Sequence, residues 1–341
     1  MSLTSIMEWG FSEEVMKDIP FPIDVFIDDN CVASPISENR SLVGIAFDYM
    51  LRLELLRANP RAREGNLVGQ YAIKHFDEKM SMSYEEDAHF FIFNFLGIFV
   101  NFFMEKMGYK DILTTKTKYK EALKNDQELK DKLHAIFTNR ESLRNTLRQI
   151  EKDYLDARKK YISDGIMNDE LVLKTLRFSM LDYFYRGSLG SMFGDTFIPD
   201  NSNLKDEVDD LKALHHIIPD YFKTLHRSVW LNPDFKETSL LVGGADADLI
   251  VDQCLIDIKT TSKMQVNEFT WSQLVGYLIL AEEARKHIEF PLVRKFGVYF
   301  SRFGKLWLIN AKYVYQSPRY NRLKNKLFKY QEKLEKRFQL I

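Results

Sequence analysis

The sequence predicts an α/β fold in which helices flank a small mixed β-sheet and a large helical insertion interrupts the core. Two pairs of short apolar segments, near residues 248–259 and 296–309, are each joined by a polar turn, which is typical of β-hairpins. Between residues 106 and 160, leucines and isoleucines recur at helical spacing among many charged residues, which indicates long amphipathic helices. A chain of 341 residues can form one large or two modest domains.

The first predicted domain, residues 1–64, contains an irregular N-terminal segment and the first helix of the core. Three prolines before residue 40 interrupt any long helix in this segment. The core helix is predicted to begin at Ser37, because a serine cap there precedes an apolar run over residues 42–51.

The second predicted domain, residues 65–237, is a helical insertion. Its charged section has almost no glycine or proline, so we expect a helical hairpin or small bundle, followed by a helix over residues 170–185. The apolar segment at residues 90–104 contains two asparagines and is too short to span a bilayer. We expect it to form a buried helix or an oligomer interface, and we expect no membrane partner. The insertion is the candidate surface for a homo-oligomer or a protein partner.

The third predicted domain, residues 238–341, contains the rest of the sheet and a basic C-terminal helix. One hairpin is predicted from strands at residues 248–251 and 255–259, because both segments are apolar and β-branched. A helix follows, and then a second hairpin from residues 296–300 and 306–309.

The first of these hairpins carries a chemical signal. Side chains alternate between the faces of a strand, so Asp257 and Lys259 project from one face of the second strand. Asp246 and Asp248 share a face of the first strand. Carboxylate oxygens are the ligands that Mg²⁺ and Mn²⁺ prefer, and an ammonium can stabilise negative charge that develops on a phosphate.

A pair of polar side chains follows this hairpin. Gln273 and Tyr277 are four residues apart in a predicted helix, which places them on one helical face. The shorter pattern Asp-x-Lys also occurs at residues 77–79 and 234–236. Spacing alone therefore has little specificity. Neither of those copies, however, lies in an apolar strand that follows another strand bearing an acid.

Taken together, Asp248, the segment Asp257-Ile258-Lys259 and the pair Gln273 and Tyr277 resemble the PD-(D/E)XK nuclease superfamily, specifically its RecB-like exonucleases with a Gln-x-x-x-Tyr helix. The resemblance covers about residues 41–60 and 240–310 and implies a restriction-endonuclease-like core. It implies Mg²⁺- or Mn²⁺-dependent hydrolysis of phosphodiester bonds in DNA. Exonucleolytic and endonucleolytic cleavage both stay open, as does RNA as a substrate.

The resemblance also implies roles for individual residues. Asp248 and Asp257 are expected to bind the metal together with the main-chain carbonyl of Ile258. Lys259 is expected to orient or deprotonate water and to stabilise the transition state. Gln273 and Tyr277 are expected to hold the phosphate or to support Lys259.

Two further acids are candidate metal ligands. Asp246 fits a Gly-x-x-Asp pattern, whereas Asp248 fits the short turn better, so we assign Asp248 as the primary ligand and Asp246 as a supporting one. Asp48 lies four residues after Gly44, in the position where RecB-like proteins carry the histidine of Gly-x-x-x-His. The alternative is that Asp48 is an ordinary acid on a helix.

The net charge of the chain is −1, so its overall charge does not indicate a nucleic-acid partner. Residues 311–341 nevertheless contain nine lysines and arginines against two glutamates, interleaved with aromatic residues. The residues predicted to contact nucleic acid are Arg302, Lys305, Arg319, Arg322, Lys324 and Lys326. The alternative is a terminal helix with an ordinary solvated basic face.

Two cysteines, Cys31 and Cys254, are the only ones in the chain. They exclude a disulfide framework and a structural zinc site built on cysteines, and they indicate a reducing compartment. Some RecB-like nucleases hold an iron–sulfur cluster with four cysteines, so we expect no such cluster here. The N-terminal residues lack a signal-peptide pattern, and we expect a cytoplasmic protein.

Two other functions remain open from the sequence. The chain could be a non-catalytic nucleic-acid-binding or assembly module that retains the nuclease fold. It could also be an interaction protein whose working part is the helical insertion. A divalent metal that stabilises the protein through the acids of the hairpin would separate a nuclease from both.

Overall fold

The computed structural model describes residues 3–22, 30–80, 140–186, 204–242 and 244–339. They form two compact units. The first combines Met1–Gly65 with Asp210–Ile341, and the second is Asn66–Asp209.

The first unit contains a six-stranded mixed sheet. In chain order the strands are β1 (Arg63–Glu64), β2 (Val229–Leu231), β3 (Leu249–Val251), β4 (Cys254–Lys259), β5 (Lys295–Phe300) and β6 (Lys305–Asn310), and they lie in the same order across the sheet. The pairs β1–β2 and β4–β5 are parallel, and the others are antiparallel. The predicted α/β class, with a mixed sheet flanked by helices, is confirmed.

Helices occur on both sides of this sheet and in the second unit. The described helices are α1 (Leu3–Ile6), α2 (Ser12–Asp18), α3 (Arg40–Ala58), α4 (Val68–Met80), α5 (Arg140–Asp164), α6 (Asp169–Arg186), α7 (Lys205–His216), α8 (Glu237–Leu240), α9 (Glu268–Ala284), α10 (Lys312–Tyr315) and α11 (Tyr320–Gln339).

The turn between β3 and β4 sets the register of the candidate site. Asp252 and Gln253 form a two-residue turn with φ values of 46° and 69°, the left-handed geometry that matches strand twist in a hairpin. The Asp252 carboxylate accepts hydrogen bonds from the main-chain nitrogens of Arg227 and Ser228, at 2.8 and 3.1 Å. These bonds hold the turn, and the resulting register pairs Leu249 with Ile256.

One face of the sheet packs against the N-terminal helices, α9 and α11. Its core contains apolar side chains of β3, β4 and β5 together with residues of those helices. Trp271 of α9 is fully buried, and its Nε1 donates to the carbonyl oxygen of Ile19 at 2.9 Å. The apolar face of α9 is therefore fixed against both the sheet and the N-terminal segment.

The other face of the sheet packs against α3 and a helical turn at Asp220–Lys223. Tyr299 of β5 lies between Phe47 and Phe222, with ring centroids 6.2 and 4.7 Å away. At Gly44, an added Cβ would lie 3.6 Å from Thr260, the residue after β4. α3 therefore passes close to the end of the strand that carries Asp257 and Lys259.

The cap of α3 differs from the sequence prediction. Asn39, not Ser37, caps the helix by accepting a hydrogen bond from the Leu42 nitrogen. The Ser37 hydroxyl accepts from the Asn39 nitrogen at 2.9 Å, while the Ser37 nitrogen donates to Asp210. Ser37 is thus engaged before the helix begins.

The second unit is helical throughout its described regular elements. α4, α5 and α6 pack against one another, and the rings of Tyr154 and Phe178 stack at 4.3 Å. The helix predicted over residues 170–185 is confirmed as α6. The predicted helix at residues 90–104 lies outside the described residues. No helix in the described part of the chain is long and apolar enough to cross a membrane.

The boundary of the second unit differs from the predicted insertion. We expected the insertion to extend over residues 65–237, whereas the second unit ends at Asp209. α7 crosses this boundary, and the segment after it supplies β2 to the sheet of the first unit. The short strand β2 has only three residues, which gives little periodic signal in the sequence.

Candidate active site

The β3–β4 hairpin brings two acids face to face. The ladder pairs Leu249 with Ile256, and extending this register by one residue places Asp248 opposite Asp257. The Asp248 Oδ2 accepts a hydrogen bond of 2.6 Å from the nitrogen of Ile258. Like charges opposite each other on neighbouring strands are destabilising unless a cation lies near them.

A chain of polar contacts leads from β4 to α9. The Lys259 Nζ lies 2.8 Å from the Asp257 Oδ2 and donates to the Gln273 Oε1 at 3.1 Å. The Gln273 Nε2 in turn donates to the Tyr277 hydroxyl at 3.0 Å. The four side chains predicted from the strand and helix patterns are therefore in contact, in the order Asp257, Lys259, Gln273, Tyr277.

Asp257 is the most constrained of these residues. It is 3 % exposed, and its Oδ2 has no hydrogen-bond partner within the described residues. That oxygen faces the Lys259 ammonium at ion-pair distance without the angle of a hydrogen bond. Burial raises the pKa of Asp257 to about 6, with Lys259 lowering it and Asp248 raising it. Asp257 is therefore a buried carboxylate whose negative charge is only partly compensated.

The charges of Asp257 and Asp248 raise the pKa values of both Lys259 and Tyr277. Burial lowers the pKa of Lys259, but the charges of Asp257, Asp248 and Asp48 outweigh this and raise it. Burial raises the pKa of Tyr277, and nearby acids raise it further. Lys259 thus remains an ammonium, and its side chain is 27 % exposed, so it is accessible from solvent.

The two supporting acids, Asp48 and Asp246, also act on this centre. Asp48 interacts electrostatically with Lys259, and Asp246 with Tyr277. Asp246 forms an isolated antiparallel bridge with Asp234, which continues the register of the β2–β3 pairing. The hairpin and α9 therefore bring their predicted residues into contact, and Asp48 of α3 interacts electrostatically with Lys259.

The carboxylate oxygens at this centre are of the type that binds a divalent cation, but few of them lie close together. Asp248 and Asp257 supply two carboxylates, and the Asp257 Oδ2 is buried without a hydrogen bond among the described side chains. No three acidic, histidine or cysteine side chains of the described residues lie close enough together to hold a metal ion. A cation here would rest on two carboxylates with main-chain oxygen and water, as hard divalent cations commonly do.

Arg52 belongs to this centre and was not among the residues singled out from the sequence. It lies on α3, is 6 % exposed, and interacts electrostatically with Asp48, Asp248 and Asp246. The sequence signal that could have identified it is its position four residues after Asp48 on the same helix. Its partners on the hairpin are too distant in sequence to be inferred from spacing.

Arg302 corrects one sequence prediction. We expected it to contact nucleic acid, but it is fully buried. Its guanidinium forms two hydrogen bonds with Asp210, of 2.7 and 3.0 Å, and a third with the carbonyl oxygen of Ala33. Arg302 is therefore unavailable to a phosphate, because its charge is already neutralised inside the protein. Lys305, at the start of β6, is exposed.

Four of the basic residues predicted to contact nucleic acid, at the start of the C-terminal helix and just before it, lie near acids. Lys324 contacts Glu282 and Glu283 at 2.6 and 2.8 Å and is only 12 % exposed. Among the others, Arg322 pairs with Asp18, Lys326 pairs with Glu14, and Arg319 lies 3.7 Å from Asp18. These pairs reduce the net positive charge that the sequence predicted for this surface. The contact of these residues with nucleic acid stays a prediction.

We compared the chain with family models, with curated proteins and with solved structures, and none of them matches it.

Proposed function

We propose that this protein is a metal-dependent nuclease that hydrolyses phosphodiester bonds in DNA by PD-(D/E)XK chemistry. The observation that carries the proposal is the contact chain from Asp257 through Lys259 and Gln273 to Tyr277, which begins at a buried carboxylate opposite Asp248. An ordinary surface ion pair needs neither the burial of the acid nor the second acid across the hairpin.

Each residue has a physical role in this proposal. Asp248 and Asp257 would hold the divalent cation, which neutralises phosphate charge and acts as a Lewis acid when bound. Lys259 presents a partly exposed ammonium to the reacting phosphate, where it stabilises the negative charge of the transition state. Gln273 orients Lys259 by accepting its hydrogen bond, and Tyr277 fixes the Gln273 amide.

The order of the elements supports a restriction-endonuclease-like core. A first helix, α3, is followed by the β3–β4 hairpin, by α9 and by the β5–β6 hairpin. β4 and β5 are parallel, so α9 is the crossover connection between them. The second unit interrupts this order between α3 and β2 and is the helical insertion of the proposal.

The test is a cleavage assay with wild type and a matched pair of variants. Linear and circular DNA, single- and double-stranded, and an RNA substrate are incubated with Mg²⁺, Mn²⁺ or EDTA. Lys259→Ala is compared with Lys236→Ala, which removes the lysine of an exposed Asp-x-Lys ion pair in the same chain. We expect metal-dependent cleavage that Lys259→Ala lowers about 100-fold or more and that Lys236→Ala leaves unchanged.

The same assay contains the outcomes that contradict the proposal. Full cleavage by Asp257→Ala, or equal loss in Lys259→Ala and Lys236→Ala, would reject this site. DNA binding without cleavage under any metal condition would favour the non-catalytic binding module. Cleavage of linear but not circular DNA would identify the exonuclease type.

A further inference from the structure

His226 lies between a helical turn and the turn of the β3–β4 hairpin. Its side chain is 6 % exposed, and its main-chain nitrogen donates to the Asn59 Oδ1, immediately after α3, at 2.7 Å. Its ring lies edge-on to the ring of Tyr221, with the centroids 4.8 Å apart. The ring is therefore held in one position, and each of its two nitrogens faces a fixed neighbour.

Both ring nitrogens of His226 face oxygen atoms. Nδ1 lies 2.9 Å from the Asp252 Oδ2, and Nε2 lies 2.6 Å from the carbonyl oxygen of Tyr221. A carbonyl oxygen can only accept a hydrogen bond, so Nε2 carries a proton. An ionised carboxylate can also only accept. A neutral imidazole has a single N–H, so it can donate to one of these oxygens and turns a lone pair toward the other.

The other hydrogen bonds of Asp252 favour its ionised form. Its Oδ1 accepts from the main-chain nitrogens of Arg227 and Ser228, at 2.8 and 3.1 Å. Burial raises the pKa of Asp252, but the contact with His226 and these two bonds outweigh it and lower the pKa. A protonated Asp252 that donates to Nδ1 is therefore disfavoured near neutral pH. The proton between Asp252 and Nδ1 belongs to the ring.

Two other titratable groups lie at this end of the hairpin, the Tyr221 hydroxyl and the Cys254 thiol. Burial raises the pKa values of both, so both stay protonated near neutral pH. Lys295 interacts electrostatically with Cys254, and Arg227 follows His226 in the chain. Both of these side chains are cations near neutral pH. Among the groups named here, only a histidine side chain ordinarily changes its charge in that range.

We propose that His226 is an imidazolium in the folded protein, and that its second ring proton fastens the β3–β4 turn to the segment before β2. The Nδ1 proton completes a charge-assisted hydrogen bond to Asp252, which is about twice as strong as a neutral one. Asp252 and Gln253 form the turn whose register places Asp248 opposite Asp257. The proposal concerns the fold of the hairpin, so it holds whether or not the candidate site binds a metal.

This proton makes the attachment of the turn sensitive to pH. A histidine in an unfolded chain loses its proton near about pH 6.5. The stabilisation by the second hydrogen bond is fully present below that pH, and it is lost as pH rises and the folded ring releases its Nδ1 proton. A neutral ring keeps its bond to the Tyr221 carbonyl and turns the Nδ1 lone pair toward the carboxylate of Asp252.

The first test is NMR spectroscopy of the full-length protein with isotopically labelled histidine, at about pH 7, where an ordinary histidine is mostly neutral. The chemical shifts of the two ring nitrogens distinguish an imidazolium from either neutral tautomer. Nuclear Overhauser contacts with the Tyr221 ring identify His226. We expect both of its ring nitrogens to be protonated. A neutral His226 ring would overturn the proposal, and this result needs no variant.

The second test compares the stability of wild type and His226→Gln by urea denaturation. The glutamine amide can donate to one of the two oxygens but carries no charge. We expect it to raise the unfolding equilibrium constant at least about tenfold near pH 5.5, and we expect this difference to shrink toward about pH 9. The control is His216→Gln, which replaces an exposed histidine of α7 and should show no such trend. A difference between wild type and His226→Gln that is equal at both pH values would overturn the proposal.

Discussion

At the level of single residues, Asp252 and Asp257 use their carboxylates in opposite ways within one hairpin. Asp252 accepts hydrogen bonds from two main-chain nitrogens and faces the His226 ring at 2.9 Å. Burial raises the pKa of Asp252, but these bonds outweigh it and lower the pKa. Burial instead raises the pKa of Asp257 to about 6. The carboxylate of Asp252 stabilises the turn, whereas burial disfavours the ionised form of Asp257.

Replacing Asp257 should therefore stabilise the metal-free protein. Its folded pKa of about 6 exceeds the ordinary value of 3.8, so ionisation favours the unfolded state, and this penalty develops as pH rises from 3.8 through about 6. We expect Asp257→Asn to raise the free energy of unfolding at pH 7.5 in EDTA by up to roughly 3 kcal/mol, since each pKa unit corresponds to about 1.4 kcal/mol. Urea denaturation measures the change. The variant should also lose any stabilisation by Mn²⁺.

Asp252→Asn is the matched control for this prediction. It keeps the shape of the side chain but weakens its bonds to Arg227, Ser228 and His226, so we expect a loss of roughly 1–3 kcal/mol. A loss of stability in both variants would show that Asp257 is an ordinary structural acid and would weaken the case for a site selected to bind a cation.

At the level of elements, a partly buried ionic cluster joins α9 to α11. Lys324 of α11 contacts Glu282 and Glu283 at the end of α9, and the Tyr320 hydroxyl donates to Glu282 at 2.8 Å. Lys286 approaches Glu283 from the turn after the helix, at 2.8 Å. α9 also carries Gln273 and Tyr277, so this cluster fixes the helix that completes the candidate site.

This cluster predicts a pH dependence of stability. Burial raises the pKa of Glu283, but hydrogen bonds from Lys286 and Lys324 outweigh it and lower the pKa to about 2 from 4.5. Glu283 thus stabilises the fold above pH 4.5, and this contribution is lost as pH falls from 4.5 through about 2. Wild type should be more stable than Glu283→Gln by roughly 1–3 kcal/mol at pH 7, and the two should converge near pH 2.

Urea is the suitable denaturant for this comparison, because guanidinium chloride would screen the ion pairs. Glu289→Gln is the control, since Glu289 forms an exposed pair with Arg63 and is 80 % exposed. We expect it to change stability by less than about 1 kcal/mol at any pH. A wild-type advantage over Glu283→Gln that does not depend on pH would contradict the assignment of this stabilisation to the carboxylate charge.

Elements formed by interactions between residues near in sequence could be predicted, whereas contacts between remote residues could not. The β3–β4 hairpin, α9 and the β5–β6 hairpin depend on local alternation, turn chemistry and helical spacing, and they occur where the patterns indicate. The contact of Lys259 with Gln273 was expected from the family resemblance and not from the local patterns, because it joins two separate elements. The roles of Arg52 and Arg302 did not follow, because their partners, Asp248 and Asp210, are remote in sequence. Burial of a charged residue depends on that remote partner.

At the level of the whole molecule, the first unit is assembled from distant parts of the chain around Arg302 and Asp210. Both side chains are 0 % exposed and form a bidentate pair. The Asp210 carboxylate also accepts hydrogen bonds from the nitrogens of Ile36 and Ser37, and the Arg302 carbonyl accepts from Val32 and Ala33. This pair therefore links the segment before α3, the middle of α7 and the turn between β5 and β6.

Breaking this pair on one side should destabilise the first unit strongly, because the remaining charge would be buried without a partner. We expect Arg302→Met and Asp210→Leu each to lower the free energy of unfolding by about 3–5 kcal/mol, and the double variant to lose less than the sum of the two. Glu170→Gln, which breaks an exposed pair with Lys174, should leave the free energy of unfolding nearly unchanged, because water screens this pair. Urea denaturation of the four variants and wild type measures these differences. A folded, stable Arg302→Met protein with weakened DNA binding would instead restore the prediction that Arg302 contacts nucleic acid and would contradict the structural role assigned to it.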